Sequence, residues 1–120
     1  MRVLVIDGAN VVGSRPDGWW RDRPGAAARL HRQLVTTPPD FDRVVLVLEG
    51  KAVAGVPAGL EDSVQTVHAA GSGDDSLVAE CRRWETAGDT VTLVTADRGL
   101  IARVPTVAIL GPGTLLRGLG

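Results

Sequence analysis

Four short, continuous apolar runs constrain the fold of this chain more than any other feature of its sequence. They are rich in β-branched side chains and cover residues 3–6, 44–48, 91–94 and 107–110. Runs that are apolar throughout, rather than at alternate positions, are typical of strands buried on both faces of a parallel sheet. Residues 63–68 form a weaker strand candidate, which we expect at an edge because its apolar residues break the period of two.

Two longer segments between these runs have the spacing of amphipathic helices. In residues 25–35, Ala27, Leu30 and Leu34 share one face, and Pro24 stands near the first turn, where its missing N–H does no harm. In residues 74–87, the inward stripe is Leu77, Val78, Cys81 and Trp84. Gly88 is a suitable residue to end this second helix.

The order of the remaining segments completes an alternating pattern. A single helical turn is expected at residues 99–103, a terminal helix at 114–119 and a surface loop at 50–59. Strands that alternate with helices predict an open α/β sheet, and we expect one domain over residues 1–120.

Charge and cysteine content exclude some classes of protein. The formal net charge is -1, so the chain has no overall basic field of the kind that coats nucleic acid. A nuclease stays compatible with this charge, because bound metal ions supply positive charge locally. Cys81 is the single cysteine and predicts a reducing compartment. No apolar stretch is long enough to cross a bilayer, so we expect a cytoplasmic protein without a membrane partner.

Acidic side chains follow three of the predicted strands. Asp7 and Glu49 come directly after the first and second runs, and Asp97 follows the third after two residues. Asp74 and Asp75 open the second helix. Ligands of open α/β sheets bind outside the carboxyl ends of the strands. The sequence therefore predicts one acidic cluster at that edge.

Such a cluster favours a divalent cation. Carboxylates that lie together repel one another, and Mg²⁺ or Mn²⁺ relieves the repulsion through oxygen ligands. A site of this kind can activate water for attack on a phosphodiester. No Cys/His cluster is present, so zinc is not expected. Most of these acids also have a plain structural interpretation. Asp7 could be a turn residue and Glu49 an exposed residue at a strand end, while Asp74 and Asp75 could complement the helix dipole, with Ser72 or Asp74 as the cap.

The residues around these acids resemble NYN domains, which are relatives of PIN domains and flap-endonuclease-like nucleases. The similarity lies in residues 5–13 (VIDGANVVG), 73–78 (GDDSLV) and 92–98 (TLVTADR), and extends in order from about residue 2 to residue 110. It implies a Rossmann-like, PIN-like three-layer α/β sandwich with a mostly parallel sheet of about five strands. It also implies metal-dependent cleavage of RNA.

The same resemblance implies roles for individual residues. The metal ligands would be Asp7, Asp97 and one of Asp74 and Asp75, with Glu49 matching an acid that some relatives carry. Asp7, Asp75, Asp97 and Arg98 would form the catalytic set. Asn10 would orient Asp7 or touch substrate, and Arg98 would contact phosphate. Thr95 would hold the metal ligands in position without binding the metal itself.

Residues 15–23 contain paired tryptophans between arginines. Trp19, Trp20 and Arg21 could stack on bases and bind phosphates of an RNA substrate. Alternatively, one tryptophan fills the core while Arg21 and Arg23 pair with nearby aspartates. We expect one tryptophan to pack and the other to be partly exposed.

Two alternative functions remain open at this point. The chain could be a non-catalytic RNA-binding or interaction module, or it could hydrolyse a small phosphorylated metabolite or nucleotide. The apolar C-terminal residues Leu115, Leu116 and Leu119 could form a homodimer interface or pack back onto the sheet.

Overall fold

A six-stranded, mostly parallel sheet runs through the centre of the computed structural model, which describes all residues from 1 to 120. The strands are β1 (Arg2–Asp7), β2 (Arg43–Leu48), β3 (Gly59–Glu61), β4 (Val64–His68), β5 (Thr90–Val94) and β6 (Ala108–Leu110). Their spatial order is β3-β4-β2-β1-β5-β6. Only β3 runs antiparallel to its neighbour.

Helices cover both faces of this sheet. They are α1 (Gly8–Gly13), α2 (Arg23–Thr36), α3 (Gly73–Thr86), α4 (Arg98–Arg103) and α5 (Pro112–Gly118), with 3₁₀ helices at Trp19–Arg21 and Gly50–Gly55. Leu4 and Ile6 of β1 pack with α1, α2 and α5, whereas Val3 and Val5 pack with α3 and α4. Successive strand residues point to opposite faces, so continuously apolar strands build two cores. The result is the three-layer α/β sandwich expected from the sequence.

Capping residues mark where the two long helices begin, and a glycine follows the end of the second. Asp22 accepts a hydrogen bond from the Gly25 N–H at 3.0 Å, with Pro24 in the first turn of α2. Ser72 caps α3 by accepting from the Asp75 N–H at 3.4 Å. Gly88 follows the end of α3 with a φ of +91°, which glycine adopts without steric cost. The predicted inward stripes of both helices are buried.

The sheet differs from the prediction at one edge. It has six strands rather than about five. The loop expected at residues 50–59 is a 3₁₀ helix followed by the start of β3. Because β3 pairs with β4 from outside, the strand expected at an edge lies between β2 and β3. All residues of β3 are exposed, so burial imposes no apolar pattern on them.

The structure also shows more than the sequence predicted for α1 and α5, the helices nearest the two ends of the chain. The six-residue helix α1 was not expected, because it is too short to show a helical period. Leu115 and Leu119, around α5, are buried in the core that α1 and α2 share, and Leu116 packs against it. These leucines therefore pack back onto the sheet within the chain. None of the helices has the length and apolar character needed to cross a membrane.

The topology fixes where a ligand would bind. From β1 the chain proceeds outward through β2 and β4, and it then returns across the sheet to place β5 on the other side of β1. The strand order thus reverses between β1 and β5. In open α/β sheets, the crevice at the carboxyl end of such a switch point is the usual ligand site.

Candidate functional site

Asp7 stands at the carboxyl end of β1, at this switch point. Although it is a charged residue, it is only 7% exposed. Its two carboxylate oxygens have different partners: Oδ1 accepts the Asn10 N–H at 3.3 Å, and Oδ2 accepts the Thr95 hydroxyl at 2.9 Å. The first bond caps α1 and the second crosses to the end of β5, so the side chain is held from two directions.

Thr95 connects the first acid to the third. Its Oγ1 donates to Asp7 and accepts the backbone N–H of Asp97 at 3.1 Å. The residue is almost completely buried, and its hydroxyl has a partner as donor and as acceptor. This arrangement fixes the position of the Asp97 backbone relative to Asp7.

Asn10 braces the same region through its side chain. Its Oδ1 accepts the Ala96 N–H at 3.0 Å, while its own backbone N–H donates to Asp7. The loop between β5 and α4 is therefore tied to the first turn of α1. The contact with Asp7 comes from the Asn10 backbone, and the Asn10 side chain contacts the loop instead.

The charge on Asp7 is opposed by its surroundings. Burial raises the pKa of the Asp7 carboxyl, and the Thr95 and Asn10 hydrogen bonds offset part of this effect. The negative charges of Asp74 and Glu49 raise the pKa of Asp7 further. The structure thus brings Asp7, Glu49 and Asp74 near enough to repel at the carboxyl edge of the sheet.

Asp75 takes a different direction from Asp74. It is exposed, and its Oδ1 forms an ion pair with the Arg103 guanidinium of α4 at 2.9 Å. The helix therefore presents Asp74 toward Asp7 and Asp75 toward α4. The sequence did not distinguish the two, because the partner of Asp75 lies 28 positions away.

Gly73 is a residue of this site that sequence reasoning did not single out for function. A Cβ atom at this position would overlap the carboxylate of Glu49, so the absence of a side chain lets Glu49 lie against the start of α3. Gly8 has a similar role, since its Cβ would come within 2.6 Å of the Val47 carbonyl oxygen. Both glycines flank predicted acids, which is the only signal that the sequence offers.

Asp97 and Arg98 begin helix α4. The Asp97 Oδ1 accepts the Leu100 N–H at 3.0 Å and caps the helix, and the residue is exposed at the sheet edge. Arg98 is exposed and has no side-chain hydrogen bond or ion pair within the chain. The cap leaves the Asp97 Oδ2 without a bond to the protein, and both side chains are available to a ligand.

This donor set suits a magnesium-type ion that is completed by substrate. No three acidic, histidine or cysteine side chains converge closely enough to enclose an ion by themselves. Mg²⁺ commonly takes one or two carboxylates and fills its other positions with water and phosphate oxygens. The acids offer hard oxygen ligands, and one oxygen of Asp97 has no hydrogen bond to the protein. The residues therefore fit such an ion.

The paired tryptophans divide as expected. Trp19 packs against the core, whereas Trp20 is 54% exposed, and their rings meet edge to face at 5.9 Å. The arginines do not pair with the nearby aspartates. Instead the Arg21 guanidinium lies 5.7 Å from the Trp20 ring centre, and that of Arg23 lies 5.5 Å from Trp19. Asp22 caps α2 and Asp17 faces Arg29 at 4.0 Å.

A cavity of about 430 Å³ opens between this tryptophan segment and the acids. Its lining comprises Gly8, Ala9, Val12, Trp19, Arg23, Leu48, Glu49, Gly50, Ala52 and Gly71. Glu49 thus faces both the cavity and Asp7.

The comparisons with known proteins identify the fold. No protein-family model and no curated protein matches the sequence. The crystal structure of Rae1 (YacP) from Bacillus subtilis matches 99% of this chain and 74% of its own, with a TM-score of 0.80. The chain has the fold of Rae1. A tryptophan-to-leucine variant of Rae1 matches with a TM-score of 0.67 over 99% of this chain and 75% of the variant. The sequence identities are 16% and 15%, so the similarity concerns the fold.

Proposed function

We propose that this chain is a metal-dependent ribonuclease that hydrolyses RNA phosphodiester bonds at the carboxyl edge of the sheet. The observation that carries the proposal is the environment of Asp7. Its carboxylate is buried at the switch point, is repelled by Asp74 and Glu49, and is linked through Thr95 to Asp97. A buried acid whose pKa is raised by desolvation and like charges is typical of functional sites.

Asp7, Asp74 and Asp97 are the proposed carboxylates from which Mg²⁺ or Mn²⁺ would take one or two direct ligands, with water and phosphate oxygens as the others and Glu49 as a further carboxylate beside them. A bound divalent ion would supply charge neutralisation and a more acidic water at a scissile phosphodiester. Asp75 is left out of this set because it pairs with Arg103. Arg98, whose side chain is exposed, is the proposed charged donor to a phosphate oxygen of the substrate.

The other residues of the site hold these groups in position. The Thr95 hydroxyl and the Asn10 backbone orient the two oxygens of Asp7, and they favour its ionised form, which is the form that binds a cation. The cap that Asp97 makes with the Leu100 N–H fixes one oxygen of that carboxylate. Metal sites require hydrogen bonds of this kind, because they hold the ligand side chains in one orientation.

The chain also offers cationic surface for the RNA backbone despite its net charge. Arg15, Arg29 and Arg32 line an open recess of about 540 Å³ beside the loop that follows α1, together with Asp17, which faces Arg29 at 4.0 Å. Arg15 is positioned by the Gln33 side chain at 2.6 Å. The charged groups of this lining are positive on balance, which suits the phosphates of an RNA strand.

The sequence motifs and the fold support the proposal together. The three motif segments resemble NYN domains, which implies metal-dependent cleavage of RNA, and the chain has the same fold as Rae1. Each supports the proposal only in combination with the site geometry, because a fold by itself does not specify a reaction.

Cleavage of a labelled RNA by purified protein in Mn²⁺ or Mg²⁺ tests this proposal. Asp97→Asn is the informative variant, since asparagine keeps the helix cap but removes the charge. Asp62→Asn is a matched control: it removes one exposed charge at a left-handed position (φ +52°) that asparagine tolerates. We expect Asp97→Asn and chelator to abolish cleavage and Asp62→Asn to retain it. Full cleavage by Asp97→Asn would overturn the assignment.

A second function is favoured by one observation. Trp20 exposes more than half of its surface, with Arg21 stacked beside it, and this pair could hold RNA without cutting it. A binding module predicts that RNA affinity is unchanged by chelator and by Asp97→Asn, and that no RNA is cleaved. A panel that includes free nucleotides separates both functions from hydrolysis of a small phosphorylated compound.

A further inference from the structure

The cavity between the tryptophan segment and the acids has the character of a pocket for one planar, uncharged group. Its floor is formed by the buried side chains of Val12 and Leu48, and Trp19 provides an aromatic wall. Its volume of about 430 Å³ lies in the range of small-ligand sites. We propose that it binds the base of one unpaired nucleotide of the RNA, directly beside the phosphodiester that is cleaved.

The charged groups at the cavity favour a nucleotide over an aliphatic side chain. Arg23 and Glu49 contribute one positive and one negative group to the lining. A nucleobase combines an apolar face, which can pack on Trp19, with polar edges that both charges can meet. A nucleotide also carries a phosphate, for which an arginine is a natural partner.

The cavity shares residues with the acidic cluster. Gly8 and Ala9 follow Asp7 directly in the chain and line the cavity, and Glu49 both lines it and raises the pKa of Asp7. A nucleotide whose base occupies the cavity therefore has its phosphate close to the acids. This inference takes the RNA substrate from the proposed function, and it predicts a requirement for a single-stranded nucleotide at the cut site.

Gly71 allows the cavity to be closed without damage to the fold. A Cβ atom at Gly71 would meet nothing within 4 Å, and its φ lies outside the left-handed region. Gly71→Phe should therefore place its ring at the cavity without displacing buried groups. Gly118→Phe is the matched control, because Gly118 also has open space around its Cβ position and lies outside this cavity.

Binding of mononucleotides, followed by tryptophan fluorescence and calorimetry, tests the pocket independently of cleavage. The protein is titrated with the four nucleoside 5′-monophosphates and with ribose 5-phosphate, which lacks the base. A Trp20→Phe background removes the signal of the exposed tryptophan. We expect a nucleotide to quench the fluorescence that remains from Trp19 and Trp84, and to bind about tenfold more tightly than ribose 5-phosphate. Gly71→Phe should abolish this difference, and Gly118→Phe should keep it.

Three results would overturn the inference. The first is equal affinity for ribose 5-phosphate and nucleotides, including no detectable binding of either. The second is a preference for nucleotides over ribose 5-phosphate that Gly71→Phe does not reduce. The third is tighter binding of N-acetyl-leucinamide than of any nucleotide, which would make the cavity a binding site for a partner's apolar side chain. If these binding tests fail while metal-dependent RNA cleavage is intact, only the proposed base pocket is refuted. If nucleotides bind but RNA is not cleaved, the proposed nuclease activity is refuted and the pocket is supported.

Discussion

The buried charge of Asp7 predicts that its removal stabilises the protein. The pKa of Asp7 is raised by burial and by the charges of Asp74 and Glu49, so the folded state favours the protonated carboxyl. Stability from this group is full at pH values below its ordinary pKa and is lost as the pH rises through the raised value. The ionised form of this side chain therefore opposes folding, and the neutral amide of Asp7→Asn does not.

The size of this effect follows from the contacts of Asp7. Asparagine keeps one oxygen for the Asn10 N–H and turns its NH₂ toward the Thr95 hydroxyl, which can accept instead of donating. The substitution thus removes the desolvation and repulsion of the charge, and its cost is the acceptor that Asp7 provides for the buried Thr95 hydroxyl proton. We expect the free energy of unfolding to rise by about 1 kcal/mol at pH 7, within the roughly 0.5–2 kcal/mol that single stabilising substitutions commonly yield. This corresponds to a rise in Tm of about 3–5 °C for a chain of this length.

Thermal and urea unfolding over a series of pH values from acid to neutral measure the prediction. Both proteins are unfolded in chelator, with Asp62→Asn as the control for a general change in charge. The stability gain of Asp7→Asn should be largest at neutral pH and should shrink as the pH falls through the carboxyl range. A pH-independent difference, or a loss of stability at pH 7, would refute the reasoning.

The remaining predictions concern the supports and the substrate surface. Thr95→Val should lower the free energy of unfolding, measured in urea, by about 1–2 kcal/mol, because Asp7 and the Asp97 N–H lose their hydrogen-bond partner. Thr95→Ser keeps the hydroxyl, so its free energy of unfolding should stay near that of the unmodified protein. Asp74→Asn should reduce RNA cleavage by about 100-fold, whereas Asp75→Asn should leave the rate nearly unchanged because Asp75 faces α4. Trp20→Ala should weaken RNA binding about tenfold in a titration with chelator, and its exposure limits the change in unfolding free energy to about 0.5 kcal/mol.

Each of these predictions has a result that contradicts it. Equal stability of Thr95→Val and Thr95→Ser would show that the hydroxyl contributes nothing. A loss of cleavage in Asp75→Asn that matches the loss in Asp74→Asn would mean that Asp75 leaves Arg103 when substrate binds. Undiminished RNA affinity in Trp20→Ala would place the substrate elsewhere on the surface.

The central sheet and the long helices could be predicted from the sequence because burial leaves a pattern. β1, β2 and β5 are apolar on both faces, and α2 and α3 carry apolar stripes that are buried as expected. The edge and the shortest elements could not be predicted. The exposed strand β3 has no face to bury, and α1 occupies only six residues with glycine at both ends.

The acids show the same limit within the site. The positions of Asp7, Glu49 and Asp97 follow from the ends of strands, which the sequence marks clearly. The choice between Asp74 and Asp75 depends on Arg103, and the room for Glu49 depends on the missing side chain of Gly73. Contacts between distant segments decide both, and a single sequence does not contain them.

The rate of RNA cleavage as a function of Mn²⁺ concentration, in the unmodified protein and in Asp7→Asn, tests the central claim most directly. Asp7→Asn is the sharpest comparison, because we expect it to be at least as stable as the unmodified protein, so that lost activity does not mean lost structure. We expect saturable, Mn²⁺-dependent cleavage by the unmodified protein and none by the variant. Cleavage by Asp7→Asn at a comparable rate, or cleavage by both proteins in chelator, would contradict it.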